Sequence, residues 1–247
     1  MNDLILQIKY GGLGDNLFYS HLPRIAKETG AYDRVFISSR SAFRNQEIKK
    51  LVWDLNPYLD GYVDAEGIYP DIDPSLPHGG NLLDQIMIEC GLDDGLLRHE
   101  PEIYYRPKFI PEYHLAIYDP NYISNDGLLS RAGVVKHFVS NKIKLDAAMK
   151  DITPTPIALP EGMFNSRRIT TPTLFDLCDL LHSCKEFYCL VSGSATLASA
   201  LGKGVTVLVG HTVGRMFLHS KLHKYVLFPR ATRSQRFIDF MYLKIAR

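Results

Sequence analysis

The 247-residue chain has almost no charge excess: 28 lysines and arginines stand against 27 aspartates and glutamates, a formal net charge of +1. A general electrostatic grip on nucleic acid or a membrane surface needs a basic surplus, so only local basic patches remain for such a role. Long apolar runs are missing too. The longest stay under about ten residues, against the roughly 20 that a spanning helix requires, so no transmembrane segment is expected. The opening MNDLILQIKY is interrupted too early for a secretory signal. The expectation is a soluble, cytoplasmic protein.

Cysteine is scarce, with 4 in all. Cys90 stands alone, and Cys178, Cys184 and Cys189 follow without CxxC spacing or a histidine at zinc-finger distance from two of them. Buried free thiols are expected, with neither a metal site nor a disulfide. A carboxylate cluster able to hold Mg²⁺ beside a diphosphate is also lacking. The nearest imitation, Asp71-Ile72-Asp73, falls in the proline-rich stretch 67–77 and reads as a solvated loop. What the chain does have is an ordinary globular composition, 46% hydrophobic and 22% charged, enough for one or two cores.

The pattern along the chain is α/β. Residues 4–10 read as a buried strand running into Gly11-Gly12-Leu13-Gly14-Asp15-Asn16, followed by helical spacing from Leu17 through Ala26. A strand at 34–38, a helix at 45–55, a short strand at 62–64 and a helix at 82–90 come next. The segment 100–111 carries Pro101, Pro107 and Pro111 and reads as an extended interdomain linker. Beyond it the pattern restarts: strands at 114–118 and 156–160, with a strand or short helix at 133–139 between them. A helix at 173–184, a strand at 187–191, a helix at 192–201, strands at 205–209 and 224–228, and a terminal helix at 234–246 complete it. Phe237, Phe240, Met241 and Leu243 of that last helix suit either packing back across a cleft or building a dimer. The division expected is 1–110 and 111–247, two open parallel-sheet units.

Ligands in such sheets sit beyond the carboxyl ends of the strands, and each half offers a glycine-rich turn there. The first, 11–16, is a poor dinucleotide fingerprint, because Leu17 occupies the place of the third glycine and no acidic residue follows the second strand at Ser38-Ser39-Arg40. It is not a P-loop either. Asp15 within it suits two roles, a helix N-cap or a general base for an acceptor hydroxyl. The second turn, Val191-Ser192-Gly193-Ser194-Ala195-Thr196, sets small residues and hydroxyls at a helix N-terminus. It suits either a serine-capped turn or a diphosphate cradle.

Together the two turns resemble the family 9 glycosyltransferases, the heptosyltransferase-like group with the GT-B fold. The matching stretches are Gly12 to Leu17 with Pro23 beyond, and Phe175 to Gly210, read as FDLCDLLHSCKEFYCLVSGSATLASALGKGVTVLVG. Two positions depart from the family pattern: Val191 where an acidic residue is common, and Thr196 where a histidine often stands. The resemblance implies two Rossmann-type domains facing a central cleft and an inverting, metal-independent transfer from a nucleotide-diphosphate sugar, with no cofactor. It makes Asp15 the catalytic base. Donor binding is implied for Gly12, Gly14, Asn16, Ser192, Gly193, Ser194, Ala195 and Thr196. Ser166, Arg167 and Arg168, taken as following the strand at 156–160, are expected to clamp the diphosphate. The acceptor is a carbohydrate or another hydroxyl compound, with a modified base in DNA as the alternative, and a catalytically inactive nucleotide-binding relative as a further one. His78-Gly79-Gly80 is a lesser acceptor-side candidate. Arg215, His219, His223, Arg230 and Arg233 read as a solvated basic face, or as a contact for donor phosphates or an acidic acceptor such as nucleic acid.

Overall fold

The computed structural model describes residues 2–70, 80–122, 128–150, 159 and 164–234. Asp71-Ile72-Asp73, His78-Gly79, the expected strand at 156–160 (apart from Leu159) and all but the first residue of the expected terminal helix lie outside the described residues. Two parallel sheets carry the chain. The first is built from β1 (Asp3–Leu6), β2 (Arg34–Ser38) and β3 (Gly61–Val63) in that order. Ile68 then bridges Leu6 in parallel. Leu6 already pairs with Ile37 of β2, so this bridge occupies the opposite edge of β1. Helices α1 (Leu13–Leu17), α2 (Leu22–Glu28), α3 (Gln46–Lys49) and α4 (Leu82–Glu89) flank this sheet.

Where one helix was expected across 17–26, there are two. Pro23 has no N–H to give the carbonyl of Tyr19, so the ladder of α1 cannot pass through it. Tyr19 O instead accepts from Leu22 N at 3.1 Å, and the chain bends before α2 starts. The helix expected at 45–55 is α3 continued by one π turn, Lys50–Asp54, with Asn45 accepting from Ile48 N at 2.9 Å as its cap.

The second sheet contains β4 (Ala116–Asp119), β5 (Leu145–Met149), β6 (Phe164–Ile169), β7 (Glu186–Leu190), β8 (Thr206–Val209) and β9 (Lys224–Leu227). All pairings are parallel and the order is β6-β5-β4-β7-β8-β9. Numbered from its own first strand this is 3-2-1-4-5-6, the doubly wound dinucleotide-fold order. Helix α5 (Arg131–Ser140) covers one face, and α6 (Leu174–Ser183) and α7 (Gly193–Ala200) cover the other. The segment 133–139 is therefore helical, started by Ser130, whose Oγ accepts from Gly133 N at 2.9 Å. Every residue of β4 is buried, as a central strand covered on both faces must be. All four cysteines are free and buried. Among the described residues no helix is long and apolar enough to cross a membrane.

The segment 100–111 is extended but not loose. Glu102 N donates to Ser20 Oγ at 2.8 Å, and Arg24 Nη2 pairs with Glu102 at 2.7 Å, tying its start to the first sheet unit. Lys108 N and Ile110 N, each at 2.8 Å, reach Asp179 and Ser183 of α6. The crossing between the two units therefore falls within residues 103–107.

Candidate active site at the meeting of two glycine turns

The turn after β1 and the turn after β7 lie against each other. A Cβ placed on Gly14 would stand 3.6 Å from Gly193 Cα and 3.6 Å from Thr196 Oγ1. One placed on Gly193 would stand 3.2 Å from Leu13 Cβ and 3.3 Å from Gly14 N. Glycine at 193 lets the starts of α1 and α7 approach this closely, whereas Gly14 has room for a methyl at ordinary contact distance. Residues about 180 positions apart in the sequence thereby come into contact.

On the first wall, Asp15 is the third residue of α1, and its Oδ2 accepts from Gly12 N at 3.1 Å. This is a capping contact, so the N-cap expectation holds in part, with Gly12 itself at the cap position. Asp15 remains partly exposed, and burial nonetheless pushes its pKa above the ordinary 3.8, with the Gly12 N–H and the Arg44 guanidinium pulling the other way. A raised pKa makes a carboxylate a better proton acceptor. Asn16 turns into the core. It is fully buried, donating from Nδ2 to Gly12 O at 2.9 Å and accepting from Trp53 Nε1 at 2.8 Å, so it shapes the turn from behind.

On the second wall, Ser192 precedes α7 but makes no side-chain cap; its hydroxyl turns back to Leu190 O at 3.3 Å. Among the described residues, the hydrogen bonds of this turn take up Ala195 N and Thr196 N, both to Ser192 O. The amides of Gly193 and Ser194 are left as donors at the positive end of the helix. Ser194 Oγ donates to Asp119 Oδ2 at 2.7 Å. Ala195 and Thr196 are buried in the packing, and Ala195 O accepts from His223 Nε2 at 2.9 Å.

No family model matches the chain, and no curated protein matches it in sequence. Solved structures do. The glycosyl transferase family 9 structure from Veillonella parvula DSM 2008 superposes with a TM-score of 0.61 at 9% identity, covering 97% of this chain and 91% of that one. The heptosyltransferase TibC in complex with ADP-D-beta-D-heptose gives 0.62 at 15% identity, covering 94% of this chain and 63% of that one. E. coli heptosyltransferase WaaC with ADP gives 0.53 at 9% identity, covering 99% of each. The chain shares their GT-B fold.

In this GT-B frame the strand order of the second sheet reverses between β4 and β7, and the turn at 192–196 stands at that switch point, where ligands of open α/β sheets bind. Sequence reading missed the residue facing it. Asp119, the last residue of β4, is 2% exposed and accepts from Asn121 N at 3.0 Å as well as from Ser194. The turn signal Asp119-Pro120-Asn121 directly after an apolar strand could have marked it.

Arg167 and Arg168 are not brought to this turn. They lie inside β6, paired with Ala147 and Ala148 of β5, and not in a loop after a strand at 156–160. Ser166 belongs to the same strand. Three strand spacings separate β6 from β7, about 14 Å. The basic stretch near the end also divides. Arg215, Arg230 and Arg233 are exposed, but His219 and His223 are buried, which corrects the expectation of a solvated face. Burial holds the pKa of His219 down at about 4, and its ring packs edge-on against Phe18 with centroids 5.3 Å apart. These histidines belong to the joint between the two units, where Asn81 Nδ2 also donates to the His219 carbonyl.

Proposed function

We propose that the chain is an inverting glycosyltransferase that moves a sugar from a nucleotide-diphosphate donor to an acceptor hydroxyl without a metal ion. The observation that carries this reading is the contact of Gly14 with Gly193, because it brings the turn that carries Asp15 against the uncapped start of α7. The donor diphosphate lies at the Gly193 and Ser194 amides, which stabilise the negative charge that grows on it as the glycosidic bond breaks. Asp15 takes the proton of the acceptor hydroxyl, whose oxygen attacks the anomeric carbon from the face opposite the leaving nucleotide. Asp119 anchors Ser194 and so fixes the turn. Solved structures of similar fold hold ADP or an ADP-heptose, so adenosine diphosphates head the panel to be tried.

The test is a thermal-shift screen against nucleoside diphosphates and nucleotide sugars, with and without Mg²⁺. A donor at about 100 times its Kd adds about 2.7 kcal/mol, a shift of several degrees at this size. A shift that does not need the metal, joined to transfer that Asp15→Asn abolishes, is the expected result. No shift with any nucleotide overturns the donor site. Binding without transfer, unchanged in Asp15→Asn, would make the chain a nucleotide-binding relative and not an enzyme.

A further inference from the structure

The first sheet has a switch point of its own. The chain builds outward from β1 to β2 and β3, then returns to the opposite edge of β1 at Ile68. The crevice beyond the carboxyl ends at such a reversal is where an open α/β sheet receives a ligand. Three side chains collect there that the donor site does not use. Lys9 and Tyr10 come from the segment leaving β1, and Tyr69 comes from the residue after the Ile68 bridge. The Lys9 ammonium lies 5.8 Å from the Tyr10 ring centroid and 4.9 Å from that of Tyr69, so one cation draws both rings around it. Tyr10 is 60% exposed and Tyr69 38%. Neither ring is filling the core.

Tyr10 stands directly before Gly11-Gly12, the turn that leads into α1 with Asp15 in its first turn. Tyr19 is buried behind that turn, and burial first, then the charges of Tyr69 and Asp15 among others, pushes its phenol pKa up.

We propose that Tyr10 and Tyr69, gathered around Lys9, form the platform on which a sugar ring of the acceptor stacks while its hydroxyl is presented to Asp15. A pyranose has a face of C–H bonds and a rim of hydroxyls. The C–H face matches the negative face of an aromatic ring, and the rim matches the phenol and ammonium groups beside it. The assignment of the ligand as an acceptor rests on the reading of Asp15 as base; the binding of a sugar ring does not.

Saturation-transfer NMR on the whole chain with methyl glucoside, galactoside and mannoside as probes tests the platform without any donor. Saturation of ring C–H protons of at least one glycoside is expected. It should weaken by about three- to tenfold in apparent affinity in Tyr10→Ala and Tyr69→Ala, as the loss of one ring contact implies. Tyr10→Phe, which keeps the ring and loses only the phenol hydroxyl, should retain more of it than Tyr10→Ala. No saturation of any glycoside by the wild-type chain overturns the proposal, as does saturation that neither alanine variant reduces. Preferential saturation of a single-stranded oligonucleotide overturns it too, by making the platform a base-stacking surface. The enzyme reading fails separately: if the glycosides bind and no nucleotide does, the platform stands as a sugar site and the donor site falls.

Discussion

The two glycine turns occupy equivalent places, each after a parallel strand and at the start of a helix, yet they dispose of their hydrogen bonds in opposite ways. At the first, side chains close the backbone: Asp15 takes Gly12 N, Asn16 takes Gly12 O, and Trp53 takes Asn16. At the second, the cap is missing, Ser194 is drawn aside to Asp119, and helix amides stay open. A closed turn presents a carboxylate in a fixed position; an open one presents donors to an anion. On the proposed reading the difference divides base and anion-binding roles between turns of similar composition, and the approach of Gly193 to Leu13 and Gly14 brings the two together.

Removing the carboxylate breaks this division most severely. Asp15→Asn keeps the shape and an oxygen for Gly12 N but cannot take a proton, so transfer should fall by about a hundred- to ten-thousandfold while nucleotide affinity stays unchanged. A loss of affinity equal to the loss of rate would assign Asp15 to binding. The pH profile sharpens the point. Because the base works ionised and burial raises its pKa above 3.8, the rate should drop as pH falls through that raised value, at higher pH than for a free carboxylate. Arg44 pulls the same pKa down, so Arg44→Ala should move the acid limb further up.

The contact between the turns can be forced from either side, and the sides differ. A methyl on Gly193 meets Leu13 Cβ at 3.2 Å and Gly14 N at 3.3 Å, closer than comfortable packing, whereas one on Gly14 meets nothing nearer than 3.6 Å. Gly193→Ala should therefore cost about 1–3 kcal/mol in stability and weaken nucleotide binding. Gly14→Ala should be neutral or slightly stabilising, since alanine favours a helix. Equal effects of the two in a denaturant titration would mean that the turns are not in contact.

Behind the first turn, Trp53→Phe leaves the ring in place and removes the one N–H that Asn16 Oδ1 accepts. An unmatched buried oxygen costs about 1–2 kcal/mol. Chemical unfolding should show that loss, with nucleotide affinity at the second turn unaffected.

Much of this arrangement was legible in the residues, but unevenly. The block from α6 to β8 reads directly, because a capped helix, an apolar strand and a small-residue helix each carry a strong local signal. β5 does not: Leu-Asp-Ala-Ala-Met has no β-branched residue and becomes a strand only through its buried position beside β4. Arg167 and Arg168, expected in a loop, lie in β6 beside this strand. The meeting of Gly14 and Gly193 had no local signal at all, since it depends on how two sheets dock. His219 and His223 looked solvated because the stretch around them is polar, while the joint that buries them comes from Phe18 and Asn81, far away in the chain.

The smallest expected effect comes from those arginines. If the diphosphate lies at the β4/β7 switch point, the backbone of β6 runs about 14 Å from that of β7, more than a Debye length at physiological salt. Both side chains are also exposed, so water and ions screen them further. Arg167→Ala and Arg168→Ala, singly or together, should leave nucleotide affinity within about twofold of wild type at physiological ionic strength. The corresponding contrast is Ser194→Ala, which frees Asp119 from its hydroxyl partner and should weaken binding more than both arginine changes combined. A tenfold loss in the arginine variants, undiminished by added salt, would mean direct contact with the donor. The phosphate site would then have to extend along the sheet edge from β4 toward β6, and the open amides of α7 would hold only part of it.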